Sequence, residues 1–240
     1  MTNKALLVLE NPWWTPQENP KRTSVLPFIE GLERCIGNFN IYHANFYELQ
    51  GFRYALNFDL TQTREDRLFL YIASHGRGKM VGGATGFNGI QLSSLLKVLK
   101  KVAGPKNLEG VVIGSCEVGC NVGDFMDTMK NSHLRWIFGY TCSIHWMPSM
   151  MVDLAILEHL MELPQPHLNS NTKIINAFAR SLQRFNGDYI IGDNAGEDVP
   201  LKDAISLIIQ SKGQGRKPQD ETRALLEKLD WTEEDQEEQI

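Results

Sequence analysis

Arg67-Leu68-Phe69-Leu70-Tyr71-Ile72-Ala73-Ser74-His75-Gly76 and Gly110-Val111-Val112-Ile113-Gly114-Ser115-Cys116-Glu117-Val118-Gly119 are the two stretches from which the rest of the chain can be read. Each opens with an apolar run that lacks polar alternation and is too short for a helix. That is the pattern of a strand buried on both faces. Each run then ends beside glycine and a reactive side chain, an imidazole in one case and a thiol in the other. In an open parallel sheet, side chains just past the carboxyl ends of neighbouring strands converge on one crevice. A histidine and a cysteine delivered there suggest thiol nucleophilic catalysis.

Outward from these motifs, strand and helix patterns alternate. Strands are expected at residues 4–10, 40–46, 110–113, 134–140 and 188–192, besides the one ending at His75. Helices are expected at residues 24–37, 48–58, 91–102, 123–130, 148–163, 169–184 and 201–210. The clearest is 91–102, with Leu92, Leu95, Leu96 and Leu99 on one stripe and Gly104-Pro105 beyond its end. Residues 11–23 read as a polar, proline-containing loop around Trp13-Trp14. Between residues 76 and 89 lie Gly76, Gly78, Gly82, Gly83, Gly86 and Gly89, the composition of a hairpin or a lip over the crevice. The alternation predicts an α/β fold: a mostly parallel sheet of about six strands with helices on both faces, spanning residues 1–210. Residues 211–240 read as a polar linker, a short helix near 221–229 and an acidic tail.

Bulk properties narrow the function. The 240 residues, 42% of them hydrophobic, supply one sizeable core. A net charge of −5 without a basic stripe argues against nucleic acid as a partner. No apolar stretch approaches a membrane span, and the amino terminus reads as a strand rather than a secretion signal. Four cysteines without a dense framework place the protein in a reducing cytoplasm. There is no Gly-x4-Gly-Lys-Ser/Thr loop, and residues 114–119 form no dinucleotide fingerprint, so no cofactor is expected.

An apolar strand followed by Ser-His-Gly, then 41 residues on an apolar strand followed by a small residue, cysteine and a nearby glycine, resembles the caspase-like cysteine peptidases, including caspases, metacaspases and bacterial relatives. The resemblance covers residues 4–192 and implies a caspase-like three-layer sandwich. It implies Cys116 as nucleophile, His75 as general acid–base, and the backbone N–H groups of Gly76 and Cys116 as oxyanion hole. It also implies a protein or peptide substrate, an activating partner or regulatory protein, and regulated proteolysis in stress response or antiviral (anti-phage) defence. Two departures stand out. The caspase signature Gln-Ala-Cys-x-Gly is replaced here, and Gly114 occupies the position two before the cysteine where metacaspases usually carry aspartate. The form of both motifs suggests a divergent prokaryotic branch.

A cationic substrate side chain would need a carboxylate, for which Glu117, Asp153 and Asp193 are candidates; an acidic one would need Arg53 or Arg77. Two other readings compete. Cys116-x3-Cys120 and Cys142-x2-His145 have spacings found in tetrahedral zinc sites, although no metal is expected without paired knuckles. A catalytically silent regulatory module on the same fold would use residues 148–163 and Trp13-Trp14 as an interface. Taken singly, a cysteine at a strand end or a histidine in a turn is ordinary packing.

Overall fold

The computed structural model describes residues 3–13, 17, 23–83, 89–103, 108–213 and 215–231. In chain order, the strands are β1 (Lys4–Glu10), β2 (Asn40–Asn45), β3 (Arg67–Ala73), β4 (Gly76–Arg77), β5 (Met80–Val81), β6 (Ile90–Gln91), β7 (Leu108–Gly114), β8 (Trp136–Tyr140), β9 (Ser143–Ile144), β10 (Ile190–Asn194), β11 (Glu197–Pro200), β12 (Ile205–Ile209) and β13 (Gln219–Asp220). The helices are α1 (Leu26–Ile36), α2 (Leu49–Gln62), α3 (Leu92–Ala103), α4 (Val122–Met129), α5 (Trp146–Glu162), α6 (Asn171–Leu182) and α7 (Thr222–Leu229).

Seven strands form the central sheet in the order β13-β12-β8-β7-β3-β1-β2. The five from β2 to β8 run parallel, and β12 and β13 close one edge antiparallel. Alternation along each strand divides the core in two. Leu6, Val8, Phe69 and Tyr71 face a layer built with α1, α5, α6 and α7. Ala5, Leu7, Leu9, Leu68, Leu70 and Ile72 face α2, α3 and α4. Every residue of β3, β7 and β8 is buried, as apolar runs covered on both faces must be. This is the expected three-layer α/β sandwich, with one strand more than expected.

Two assignments differ from expectation. The run Ile205-Ser206-Leu207-Ile208-Ile209 is a strand, not a helix, and pairs antiparallel with β8. Its β-branched isoleucines favour the pleated sheet, where it is buried on both faces. The strand expected near residues 188–192 forms at 190–194 but outside the main sheet, in a small sheet of order β11-β10-β9. Beyond residue 210 the chain continues to pack: β13 joins the sheet edge and Leu225 of α7 is fully buried. The acidic tail and Trp14 lie outside the described residues. Among those described, no helix is long and apolar enough to cross a membrane.

Polar clamps tie the layers. Arg67, opening β3, grips Glu109 of β7 through Nε (3.0 Å to either oxygen) and Nη2 (2.6 Å), and Nη2 also donates to Leu163 O at 2.8 Å. In the middle of the sheet, Asp153 of α5 is 1% exposed and accepts from Tyr71 of β3 (2.8 Å) and Tyr140 of β8 (2.7 Å). Burial pushes its pKa up from 3.8 to about 7, against the pull of the two hydroxyls.

Two packing constraints are testable. A Cβ at Gly110 would lie 1.9 Å from Cε2 of the fully buried Trp136, its partner on β8. Gly110→Ala is therefore expected to destabilise the fold by about 1–3 kcal/mol in urea unfolding, and by less when Trp136 is also cut to Leu; equal costs in both backgrounds would refute the clash. For Asp153 the buried charged form is the penalised one. The carboxyl's raised pKa favours the fold fully below 3.8, and that contribution is lost as pH rises through about 7. Asp153→Asn preserves a partner for each tyrosine and removes this titration, so Tm–pH curves of wild type and variant should diverge across that interval. Parallel curves would exclude the effect.

Candidate active site

The parallel pairing of β3 with β7 brings Ala73 opposite Gly114, and His75 and Cys116 each lie two residues beyond that pair. Both strand ends turn together. Ser74 and Ser115, each fully buried, share a hydrogen bond of 2.8 Å between their hydroxyls. Gly76 then rests directly on the backbone of Cys116: a Cβ there would lie 2.3 Å from Cys116 O and 2.8 Å from Cys116 N. Glycine is needed at this position because any side chain would meet immovable backbone. The two sequence motifs thus form one continuous site at the carboxyl edge of the sheet.

Cys116 is partly exposed, and its Sγ receives the Ile144 N–H at 3.3 Å. Glu117 follows in the left-handed region (φ 63°), which swings the chain away into a 3-10 turn at Val118–Cys120. Its N–H donates to Cys142 O at 2.9 Å, and Gly119 packs against the Tyr140 carbonyl.

His75 Nε2 lies 2.5 Å from the Trp13 carbonyl oxygen. A carbonyl only accepts, so Nε2 carries the proton, and in the neutral ring Nδ1 is the basic nitrogen. The Trp13 ring also meets the imidazole edge-on, with centroids 5.4 Å apart, and Trp146 packs edge-on against Trp13 at 6.4 Å. Past His75, β4, β5 and β6 form the small hairpin sheet expected of the glycine-rich segment. Residues 84–88 of that segment lie outside the described residues.

The three candidate carboxylates have different surroundings. Glu117 Oε2 accepts from Gly78 N at 2.7 Å, tying the hairpin to the cysteine turn, where Asn121 adds a bond to Gly78 O at 3.0 Å. Asp153 lies beneath Gly114, whose Cβ would fall 3.0 Å from its Oδ2, with both oxygens held by the tyrosines. Asp193 of β10 stands opposite Ser143 of β9, next to the Ile144 that contacts Cys116. Its side chain is 36% exposed, with His145 Nε2 at 3.7 Å.

The zinc spacing does not assemble. Among the described residues, no group of three or more His, Cys, Asp or Glu side chains is arranged to hold a metal. Cys120 Sγ points to Thr141 O at 3.3 Å. Cys142 is buried, and burial, then the neighbouring Cys116 and Asp193, push its thiol up to about 11. A groove of about 590 Å³ between α5 and α6, lined in part by Glu162, His167, Lys173 and Arg180, opens at the opposite end of the sheet. Sequence reasoning missed the Trp13 carbonyl and the Ile144 N–H, because any residue type supplies those groups. The paired serines were visible as the residue before each of His75 and Cys116.

No family model matches the chain, and no curated protein matches it in sequence. Solved structures do match. One is a secreted C11 cysteine protease from Bacteroides thetaiotaomicron, iotapain, with a TM-score of 0.54 at 12% identity, over 87% of this chain and 67% of that one. Another is a secreted C11 cysteine protease from the same organism in complex with an irreversible peptide inhibitor, with a TM-score of 0.50 at 12% identity, over 87% and 66%. The chain spans about two thirds of the length of these proteases. It has the α/β fold of the caspase-like cysteine proteases.

Proposed function

We propose that the protein is a caspase-like cysteine endopeptidase working through a Cys116–His75 dyad. The observation that carries this reading is the seating of Gly76 on the Cys116 backbone, which brings the histidine and cysteine motifs together at one edge of the sheet. Cys116 Sγ attacks the scissile carbonyl carbon, and the thiol proton passes to Nδ1 of His75. The oxygen gains negative charge, met by the N–H groups of Gly76 and Cys116. Collapse breaks the C–N bond, His75 returns the proton to the departing amine, and a thioester remains. Water, deprotonated by His75, then attacks the thioester and releases the acid and the thiol.

Among the three carboxylates, Asp193 is the one this reading assigns to the substrate, beside the nucleophile on the exposed rim. Glu117 is tied to the Gly78 N–H and Asp153 has both oxygens held by tyrosines, whereas Asp193 gives Oδ1 to the Gly196 N–H at 3.1 Å and keeps Oδ2 on the partly exposed rim. A carboxylate there suits a cationic residue before the cut. The four unpaired cysteines fit a reducing cytoplasm, and regulated proteolysis under an activating partner, in stress response or defence, is the physiological setting the resemblance supports.

Cys116→Ala is expected to abolish peptide hydrolysis, and His75→Ala to reduce it by about 100-fold or more. An irreversible thiol-directed peptide probe should label Cys116 ahead of the exposed Cys35 and Cys120, read by peptide mass spectrometry. Equal labelling of those three, or hydrolysis surviving in Cys116→Ala, would refute the mechanism. In a library varied at the residue before the cut, Asp193→Asn should lower kcat/KM for Arg and Lys by about 10-fold or more and leave neutral residues unchanged. An unchanged profile would remove Asp193 from the substrate pocket.

A further inference from the structure

Glu10 is the last residue of β1, 2% exposed, at the same edge of the sheet as the dyad. Its carboxylate collects four polar partners. Oε1 accepts from Trp13 Nε1 at 2.8 Å and from Val25 N at 3.0 Å. Oε2 accepts from Ser24 Oγ at 2.5 Å and faces His43 Nε2 at 3.1 Å. Burial alone would raise the Glu10 pKa, yet the bonds from His43, Ser24, Val25 and Trp13 outweigh it and hold the group below 4.5, ionised at neutral pH. A buried charge retained with so many donors holds their positions.

What Glu10 holds is the residue that orients the catalytic imidazole. Trp13 is 8% exposed and meets His75 through its carbonyl oxygen and its ring edge, while its indole N–H is bound to Glu10. The intervening backbone is tied to the same strand ends. Asn11 N donates to Ala73 O at 2.9 Å, two residues before His75, and Asn11 Nδ2 donates to Phe46 O at 2.8 Å. Glu10 itself stands opposite Ala73 in the sheet register. The chain of contact runs from the carboxylate through the indole of Trp13 to its carbonyl, and from there to Nε2 of His75.

We infer that Glu10 is a positioning residue for His75, acting through Trp13 to hold the imidazole in the Nε2–H tautomer with Nδ1 as the basic nitrogen. Glu10 touches no reacting atom. Its negative charge faces His43 and lies near Tyr71, and neither of these contacts replaces the bond to Trp13. The catalytic consequence rests on the peptidase reading; the tautomer does not.

The test therefore has two readouts. In nitrogen-15 histidine spectra, wild-type His75, assigned by its loss in His75→Ala, should show the Nε2–H tautomer. Trp13→Phe, which removes the indole N–H and keeps a ring, and Glu10→Ala should both give a mixture of tautomers. Glu10→Gln, which still accepts from Trp13, should stay closer to wild type. In peptide hydrolysis, Trp13→Phe and Glu10→Ala should lower kcat by about 10- to 100-fold with KM within about twofold, and Glu10→Gln should lose less. An unchanged tautomer in folded Trp13→Phe overturns the inference whether or not Glu10→Ala folds. A mixed tautomer in Trp13→Phe together with peptide cleavage surviving in Cys116→Ala would uphold the positioning and sink the Cys116 mechanism instead.

Discussion

Backbone contact between Gly76 and Cys116 is the constraint on which the rest of the site depends. Two neighbouring parallel strands end in register at Ala73 and Gly114, and the paired hydroxyls of Ser74 and Ser115 hold them together for one residue more. Only then do the chains diverge, one into the hairpin and the other into the left-handed turn at Glu117. A side chain at position 76 would force them apart one residue early. The histidine and cysteine segments would then part even though every strand remained in place. The fold supplies the parallel pair, and a missing Cβ converts that pair into a site.

Three buried carboxylates brace this arrangement along the length of the strands. Glu109 pairs with Arg67 where β3 and β7 begin, at the opposite end of these strands from His75 and Cys116. Asp153 binds tyrosines from β3 and β8 midway and so fixes α5 against the sheet. Glu10 gathers the loop and helix entrance at the carboxyl edge, next to His75. Breaking a buried, partnered charge costs far more than losing a surface pair, commonly about 3–5 kcal/mol. The central sheet is therefore braced where His75 and Cys116 are mounted, while the side chains of Asp193 and His145 stay partly open to solvent.

Legibility in the sequence followed physical cause. β1, β3, β7 and β8 were readable because strands buried on both faces must be continuous apolar runs. Helix α3 was readable from its leucine stripe. The segment at 205–209 was misread because a short apolar run has no decisive period, and pairing with β8 settles it. Of the small sheet only the β10 region was anticipated: β9 and β11 are short and half exposed, and β9 is defined by its pairing with the distant β10. At the site, His75 and Cys116 announced themselves as side chains. The carbonyl of Trp13 and the N–H of Ile144 are backbone groups that only the folded path can aim.

Glu10 and Asp153 show how one fold assigns opposite states to two buried carboxyls. Both are nearly inaccessible, so desolvation pushes each toward the neutral acid. Glu10 meets four polar partners, including a backbone N–H and an imidazole, and stays charged. Asp153 meets two phenol hydroxyls, which only partly offset its deeper burial. The charged group sits where a fixed field can act on Trp13 and, through it, on the imidazole. The carboxyl whose pKa rises to about 7 lies behind Gly114, two residues before Cys116. The metacaspase pattern places an aspartate on this strand; here the backbone position is glycine, and an oxygen of Asp153 reaches within 3.0 Å of where its Cβ would stand. Burial makes this carboxyl, on the helix packed behind the strand, responsive to pH.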